Sequence, residues 1–325
     1  MLLYEERIYK KKDINIKYLL KESIKNKDKL IIIFSGFDNP PKYRYTLTLR
    51  GFDINQLFIL DDYKTRGGYY IGASPEFLQE QAVASLIEKI MYDKKIKKEN
   101  VICIGSSKGG WAAMYFAVKY NFKAAIVGAP QTKIMTYLQS IRAKDVIDDM
   151  ILSNNDFAII DNKLLELING KKELPMIFIQ LGIGDNHCLF KHIIPLFDLL
   201  KSRKQLHKLN LKFEQFNEHN EIGLYFPSYL CSKIIEIFPV LSNSLYFKFV
   251  DIKLENNKFI INAEANAADE YAWYVYCDGK EIYTQRYSKN NIFTFGCKGS
   301  GKYKFGVFAK NNNNHISTYT RVFNI

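Results

Sequence analysis

The stretch Val101-Ile102-Cys103-Ile104-Gly105-Ser106-Ser107-Lys108-Gly109-Gly110-Trp111-Ala112-Ala113 decides the fold. Within it Gly105–Gly109 matches G-x-S-x-G, with an apolar run before it and an alanine-rich segment of helical period after it. A strand that turns sharply into a helix at this motif is a nucleophile elbow, which lifts a serine Oγ above the edge of a sheet. Glycines two residues before and two after Ser107 let the chain turn without a side-chain clash. The backbone N–H of Lys108, at the start of the helix, then points at a developing oxyanion and is reinforced by the helix dipole. Ser107 is the candidate nucleophile.

The same alternation extends outward in both directions. Leu30–Phe34, Leu57–Leu60, Val101–Ile104, Ala124–Val127, Met176–Gln180 and Leu211–Phe216 are short apolar runs and read as strands. Pro75–Tyr92, Lys108–Tyr120, Cys188–Lys201 and Phe226–Phe238 carry a helical period between them. Near-continuous apolar strands separated by amphipathic helices predict an α/β fold, a mostly parallel sheet covered by helices on both faces. Residues 131–171 interrupt the rhythm with the polar Ser153-Asn154-Asn155-Asp156; they read either as an insertion capping the site or as a longer crossover.

A serine needs a base, and the five histidines limit the choice. His315 sits beside Asn311–Asn314 and reads as a turn residue; His207 follows the basic Lys201–Lys204 helix end; His192 falls inside a helical stretch. His219 is different, because it follows the strand Leu211–Phe216 in a polar loop directly before the last helix. In the order Ser, acid, His, that is the base position. The acid belongs in the loop after the preceding strand, where Gly182-Ile183-Gly184-Asp185 supplies Asp185; its other reading is an N-cap for the helix that follows. His187 is its neighbour and a candidate substrate contact. The loop Ser35-Gly36-Phe37 after Leu30–Phe34 offers the N–H of Phe37 as a second oxyanion donor beside Lys108. Two further loops open at the same sheet edge, where ligands of α/β sheets bind. They make Arg66, Tyr69, Tyr70 and Gln131 candidate pocket residues.

After Leu241-Ser242-Asn243-Ser244 the period drops to two. Phe259–Ala263, Tyr271–Tyr276, Glu281–Thr284, Asn291–Phe295, Tyr303–Lys310 and Ser317–Val322 read as strands, with turns at Asp278-Gly279, Gly296–Gly301 and Asn311–Asn314. This predicts an all-β immunoglobulin- or fibronectin-like sandwich over 243–325, appended to an α/β domain over 1–242. Two domains also suit a length of 325 residues.

Composition removes several other classes. Five scattered cysteines without C-x-x-C argue against a disulfide framework or zinc ribbon and for reduced thiols. The first residues carry no apolar signal-peptide region, and no run of about 18 apolar residues occurs, so the expected location is cytoplasmic without a membrane span. No P-loop, no G-x-G-x-x-G after a strand and no H-E-x-x-H is present, so neither a cofactor nor a metal is expected. The net charge of +12 is dispersed over Lys10–Lys12, Lys94–Lys98 and Lys201–Lys208, which argues against a nucleic-acid partner and stays compatible with an anionic glycan.

The elbow Ile104–Gly110 resembles the α/β-hydrolase superfamily over about residues 1–240. It looks closest to a branch of accessory-secretion glycan O-acetyltransferases and capsule-biosynthesis hydrolase-like proteins. The resemblance implies a Ser-His-Asp triad at Ser107, His219 and Asp185. Residues 245–325 look like a three-Y sandwich module, carried by Tyr271–Tyr276 with Gly279 and by Gly301–Phe308. That likeness implies protein or glycan contacts for the module and no chemistry. The expected function is a serine esterase or acyl-hydrolase acting through an acyl-enzyme on a short acyl ester of a carbohydrate. The alternatives are an O-acyltransferase modifying a surface glycan or glycoprotein, and a non-catalytic binding or assembly protein that keeps the fold.

Overall fold

A computed structural model of the chain describes residues 4–64, 66–153, 155–297, 299–312 and 314–325. Met1–Leu3 and, within the loops and turns read above, Thr65, Asn154, Lys298 and Asn313 lie outside the described residues. The chain divides into two compact units: residues up to Arg44 with Ile54–Ile222, and Tyr45–Asp53 with Gly223–Ile325.

The first unit is built on strands β1 (Glu6–Lys11), β2 (Ile14–Lys21), β3 (Leu30–Phe34), β4 (Asn55–Ile59), β5 (Val101–Ser106), β6 (Ala124–Gly128), β7 (Met176–Gly182) and β8 (Leu209–Glu214). They form one eight-stranded sheet in the order β1-β2-β4-β3-β5-β6-β7-β8. β2 runs antiparallel to β1 and β4, and every other pair is parallel. All five residues of β3, β4 and β6 are buried. Since successive side chains point to opposite faces, such burial means that both faces of the sheet are covered. Each apolar run read in the sequence as a strand of this region overlaps a strand of the sheet, Leu57–Leu60 and Leu211–Phe216 running past the ends of β4 and β8. The edge hairpin β1–β2 was not among them.

Helices α1 (Leu78–Asp93), α2 (Lys108–Tyr120), α3 (Ile134–Ser140), α4 (Lys144–Met150), α5 (Asp156–Gly170), α6 (Asn186–Cys188), α7 (Ile194–Ser202) and α8 (Ile222–Ile237) complete the order. α2 packs on β3, β5 and β6 through a sequence in which every residue from Lys108 to Val118 is buried. The expected helix over Cys188–Lys201 is interrupted: α6 runs through a π-helical turn, Leu189–Ile193, into α7. Residues 131–171 hold α3, α4 and α5, with α3 and α2 each packed on α5.

The second unit holds strands β9 (Tyr246–Glu255), β10 (Lys258–Asn266), β11 (Glu270–Cys277), β12 (Lys280–Ser288), β13 (Ile292–Gly296), β14 (Lys302–Lys310), β15 (His315–Tyr319) and β16 (Phe323–Asn324). One sheet runs β13-β10-β9 and the other β12-β11-β14-β15, with β16 also on β14. The Asp278-Gly279 turn joins Cys277 to Lys280 with φ of 48° and 80°, the left-handed pair that a two-residue hairpin requires. The core between the sheets is aromatic. Trp273 is 1% exposed and stacks on Phe293 at 5.5 Å, and the Ala265 N–H of one sheet donates to the Tyr271 hydroxyl of the other at 3.0 Å. Contacts group α8 and the short segment Tyr45–Asp53 with these sheets, whereas the change of period in the sequence falls at 242/243. No helix among the described residues is long and apolar enough to cross a membrane.

Candidate active site

Every side chain of the site belongs to the first unit. The elbow forms where the sequence placed it: β5 ends at Ser106, α2 starts at Lys108, and Ser107 between them has φ 54° and ψ −122°. A non-glycine residue in that region carries roughly 1–3 kcal/mol of strain, held here by the surrounding turn. Ser107 N–H donates to Gly128 O at 2.8 Å, and its carbonyl accepts from the N–H groups of Gly110 and Trp111. The flanking glycines have a steric cause. A Cβ on Gly105 would stand 2.3 Å from Gly109 O, and one on Gly109 would stand 2.3 Å from Phe34 O. Strand, helix and the end of β3 thus meet backbone to backbone. Gly36 is different, since a Cβ there would meet only Ser106 O at an ordinary 3.6 Å.

Ser107, His219 and Asp185 come together although 112 and 34 residues separate the pairs. The Ser107 hydroxyl donates to His219 Nε2 at 2.9 Å, and His219 Nδ1–H donates to Asp185 Oδ2 at 2.7 Å. His219 opens a short helical turn after β8, fixed by a capping box between Glu218 and Glu221. Asp185 makes two contacts at once: its Oδ1 accepts the Cys188 N–H at the start of α6, and its Oδ2 accepts the His219 Nδ1–H. An imidazole held this way through Nδ1 presents a free Nε2 lone pair to the serine, which is what a general base needs. Asp185, Cys188 and His219 are also the described residues grouped closely enough to share a cation. Burial, however, pushes the Cys188 thiol well up, so it stays protonated, and its Sγ–H points at Pro130 O at 3.5 Å.

The oxyanion candidates sit on well-supported backbone. Lys108 is the first residue of α2, so its N–H has no intrahelical acceptor. Its side chain is turned inward into an ion pair with Asp61 at 2.9 Å, with side-chain exposures of 1% and 0%. Asp61 also accepts from Gln79 Nε2 at 2.8 Å and from the N–H groups of Gly68 and Tyr70. The half-buried Phe37 lies under the Arg66 guanidinium at 4.9 Å and near Lys108 Nζ at 5.7 Å.

The pocket candidates divide. Gln131 is fully buried and donates from Nε2 to Ser107 Oγ at 2.8 Å, so it touches the candidate nucleophile itself. His187 is partly exposed and lies at 6.0 Å, ring to ring, from Tyr137. Arg66 gives both faces of its fork to Asp145 of α4, at 2.8 and 2.6 Å, which holds that carboxyl below the usual range. Tyr69 and Tyr70 do not line an open pocket, because both are 0% exposed. Positive φ at each turns the rings inward, Tyr69 against Trp111 and Tyr70 edge-on to Phe34. The Tyr70 hydroxyl accepts Ser35 N–H at 2.6 Å and donates to Ile59 O at 3.0 Å, so it braces the loop that carries Phe37.

Two residues that the sequence reading passed over join the site. Tyr137, on α3 inside 131–171, lies 5.7 Å ring to ring from His219. Burial pushes its phenol up, and a hydrogen-bonding contact with Ser107 works against that. His192, read as part of a helix, is fully buried 5.2 Å from His187, and burial pushes its pKa down to about 3.

No protein-family model matches the chain. An accessory Sec system protein of Staphylococcus aureus (strain NCTC 8325 / PS 47) is 28% identical over 116 residues, 36% of this chain. The chain spans only 22% of the length of that curated relative. The capsule O-acetyltransferase of Neisseria meningitidis serogroup A superimposes with a TM-score of 0.59 at 25% identity, covering 67% of this chain and 91% of that one. FphF, a fluorophosphonate-binding serine hydrolase of Staphylococcus aureus, superimposes with a TM-score of 0.52 at 14% identity, over 72% and 97% of the two chains. The elbow, the sheet order and these neighbours agree: the chain has the α/β-hydrolase fold, followed by antiparallel β-sheets.

Proposed function

We propose that the chain is a serine-dependent acyl-transferring enzyme acting on a short acyl ester of a carbohydrate. The observation that carries this is the hydrogen-bonded run Ser107–His219–Asp185, at 2.9 and 2.7 Å, with the serine on a strained elbow. In this reading Ser107 Oγ attacks the ester carbonyl while His219 Nε2 takes its proton. Asp185 stabilises the imidazolium that results. The N–H groups of Lys108 and Phe37 receive the negative charge on the carbonyl oxygen. His219 then returns the proton to the departing alkoxide, leaving an acyl ester on Ser107.

The acyl group passes next to water, as in an esterase, or to a sugar hydroxyl, as in an O-acyltransferase. The likeness to a capsule O-acetyltransferase supports a sugar as the partner in either case. The test is product analysis with acetylated monosaccharides, with and without a second sugar as acceptor. Release of acetate that depends on Ser107 and His219, and not on His207 or His315, is the expected result. Equal loss in His207→Ala would overturn the assignment of the base.

A further inference from the structure

Strands β3, β5, β6, β7 and β8 are parallel neighbours in the sheet. The segments that lead into them, residues 22–29, 94–100, 121–123, 171–175 and 203–208, therefore share one edge, about 20 Å across. Ser107, Asp185 and His219 follow the other ends of these strands, about 20 Å away. The edge belongs entirely to the first unit. It holds thirteen of the 46 lysines and arginines and four of the 34 acidic residues, which is nine of the net charge of +12. The runs Lys94–Lys98 and Lys201–Lys208, far apart in the sequence, meet here.

Two of the four carboxylates, Glu22 and Asp28, are already paired with Lys94 and Lys29 at 2.8 and 2.9 Å. Eight of the thirteen cations are exposed lysines. Helix C-termini favour cations, but residues 22–29 follow a strand and carry three lysines all the same. The charge also has apolar company. Tyr92 and Ile24 are the two most exposed large hydrophobic side chains among the described residues, at 84% and 80%. Tyr92 lies in the last turn of α1, and Ile24 in the segment before β3. The Glu22–Lys94 pair and a hydrogen bond from Asn100 Nδ2 to Asp28 at 3.3 Å hold those two segments side by side.

We propose that this lysine-rich edge docks the chain on an anionic bilayer surface, with Tyr92 and Ile24 entering the headgroup region. Such docking is independent of the chemistry at Ser107. A soluble polyanion engages the lysines and leaves both apolar tips in water, whereas a headgroup layer takes up charge and tips together. Tyrosine suits that layer, because its ring is apolar and its hydroxyl stays wet.

The test sediments the full chain with vesicles of phosphatidylcholine alone and of phosphatidylcholine with phosphatidylglycerol. Binding should need the anionic lipid and fall steeply with added salt. Lys97→Gln/Lys172→Gln removes two exposed lysines of the edge and should weaken partition about 25-fold, about fivefold for each. Lys10→Gln/Lys12→Gln removes the same charge from the β1–β2 turn at the other end of the sheet and should change partition less than about twofold. Ile24→Ser/Tyr92→Ser should weaken vesicle binding at least about fivefold and leave binding to dextran sulfate, a soluble polyanion, unchanged. No binding to the anionic vesicles, equal binding to both kinds, or equal losses in the two lysine variants overturns the proposal. So does an Ile24→Ser/Tyr92→Ser chain that binds vesicles as the wild type does, because the edge then captures polyanions in general.

Discussion

Lys108→Met separates what the side chain of Lys108 does from what its backbone does. The backbone N–H proposed as an oxyanion donor is retained, whereas the ammonium that pairs with Asp61 at 2.9 Å is lost. Both side chains are essentially without solvent access, so the carboxylate left behind is a buried charge without its cation. Breaking such a pair costs about 3–5 kcal/mol. Asp61 keeps three N–H donors, from Gln79, Gly68 and Tyr70, which places the variant at the lower end, about 3 kcal/mol. At about 2–4 °C of melting temperature per kcal/mol for a domain of this size, the fall is about 6–12 °C. Asp61→Asn leaves the ammonium with no carboxylate and should cost more, about 5 kcal/mol. The double variant leaves no buried charge and should be more stable than Asp61→Asn alone. Urea denaturation followed by circular dichroism measures all three. A Lys108→Met protein within about 1 kcal/mol of wild type, or a double variant no better than the worse single, would refute the assignment of a buried ion pair under the elbow.

The glycines give a second set of expectations. Gly105→Ala and Gly109→Ala drive a Cβ to 2.3 Å from backbone oxygens and should each cost about 3 kcal/mol or more, whereas Gly36→Ala meets an oxygen at 3.6 Å and should cost under about 1 kcal/mol. Equal costs in thermal melts would contradict the backbone-to-backbone packing of the elbow. Ser107→Gly relieves a φ of 54° and should be about 1 kcal/mol more stable than Ser107→Ala, in the same melts. Stability should also fall with acid through His192. Its native pKa is pushed down to about 3, against about 6.5 in an unfolded chain. Between those values the unfolded chain takes up a proton that the native ring refuses, so native stability is full above about pH 6.5 and drops as pH falls toward 3. The slope approaches about 1.4 kcal/mol per pH unit for this one group, and His192→Asn should flatten it. An unchanged slope in urea titrations between pH 7 and pH 4 would show that His192 does not carry it.

The central sheet was legible because strands buried on both faces leave a mark that no polar residue interrupts, as in Leu30–Phe34 and Ala124–Gly128. The edge hairpin β1–β2 was not, since Glu-Arg-Ile-Tyr-Lys-Lys is exposed along most of its length and carries no apolar alternation. Ser107, Asp185 and His219 could be placed by order, because each occupies the loop after a strand that was itself recognisable. His192 and Tyr137 could not. The first is defined by Thr132 and Lys133, some 60 residues away, and the second by a helix inside 131–171 whose path the sequence does not specify. Tyr69 and Tyr70 misled for a local reason. Aromatic residues in a polar, glycine-rich loop suggest a pocket lining, but two successive positive φ values turn both rings into the core.

Covalent labelling tests most directly whether Ser107 is an activated nucleophile. A fluorophosphonate probe should label the folded wild-type chain once, at the peptide carrying Ser107. Ser107→Ala should remain unlabelled, and His219→Ala should be slowed by orders of magnitude, because the proton then has no acceptor within reach. A folded wild-type chain that takes up no probe, or a Ser107→Ala chain labelled at the wild-type rate, would contradict the account.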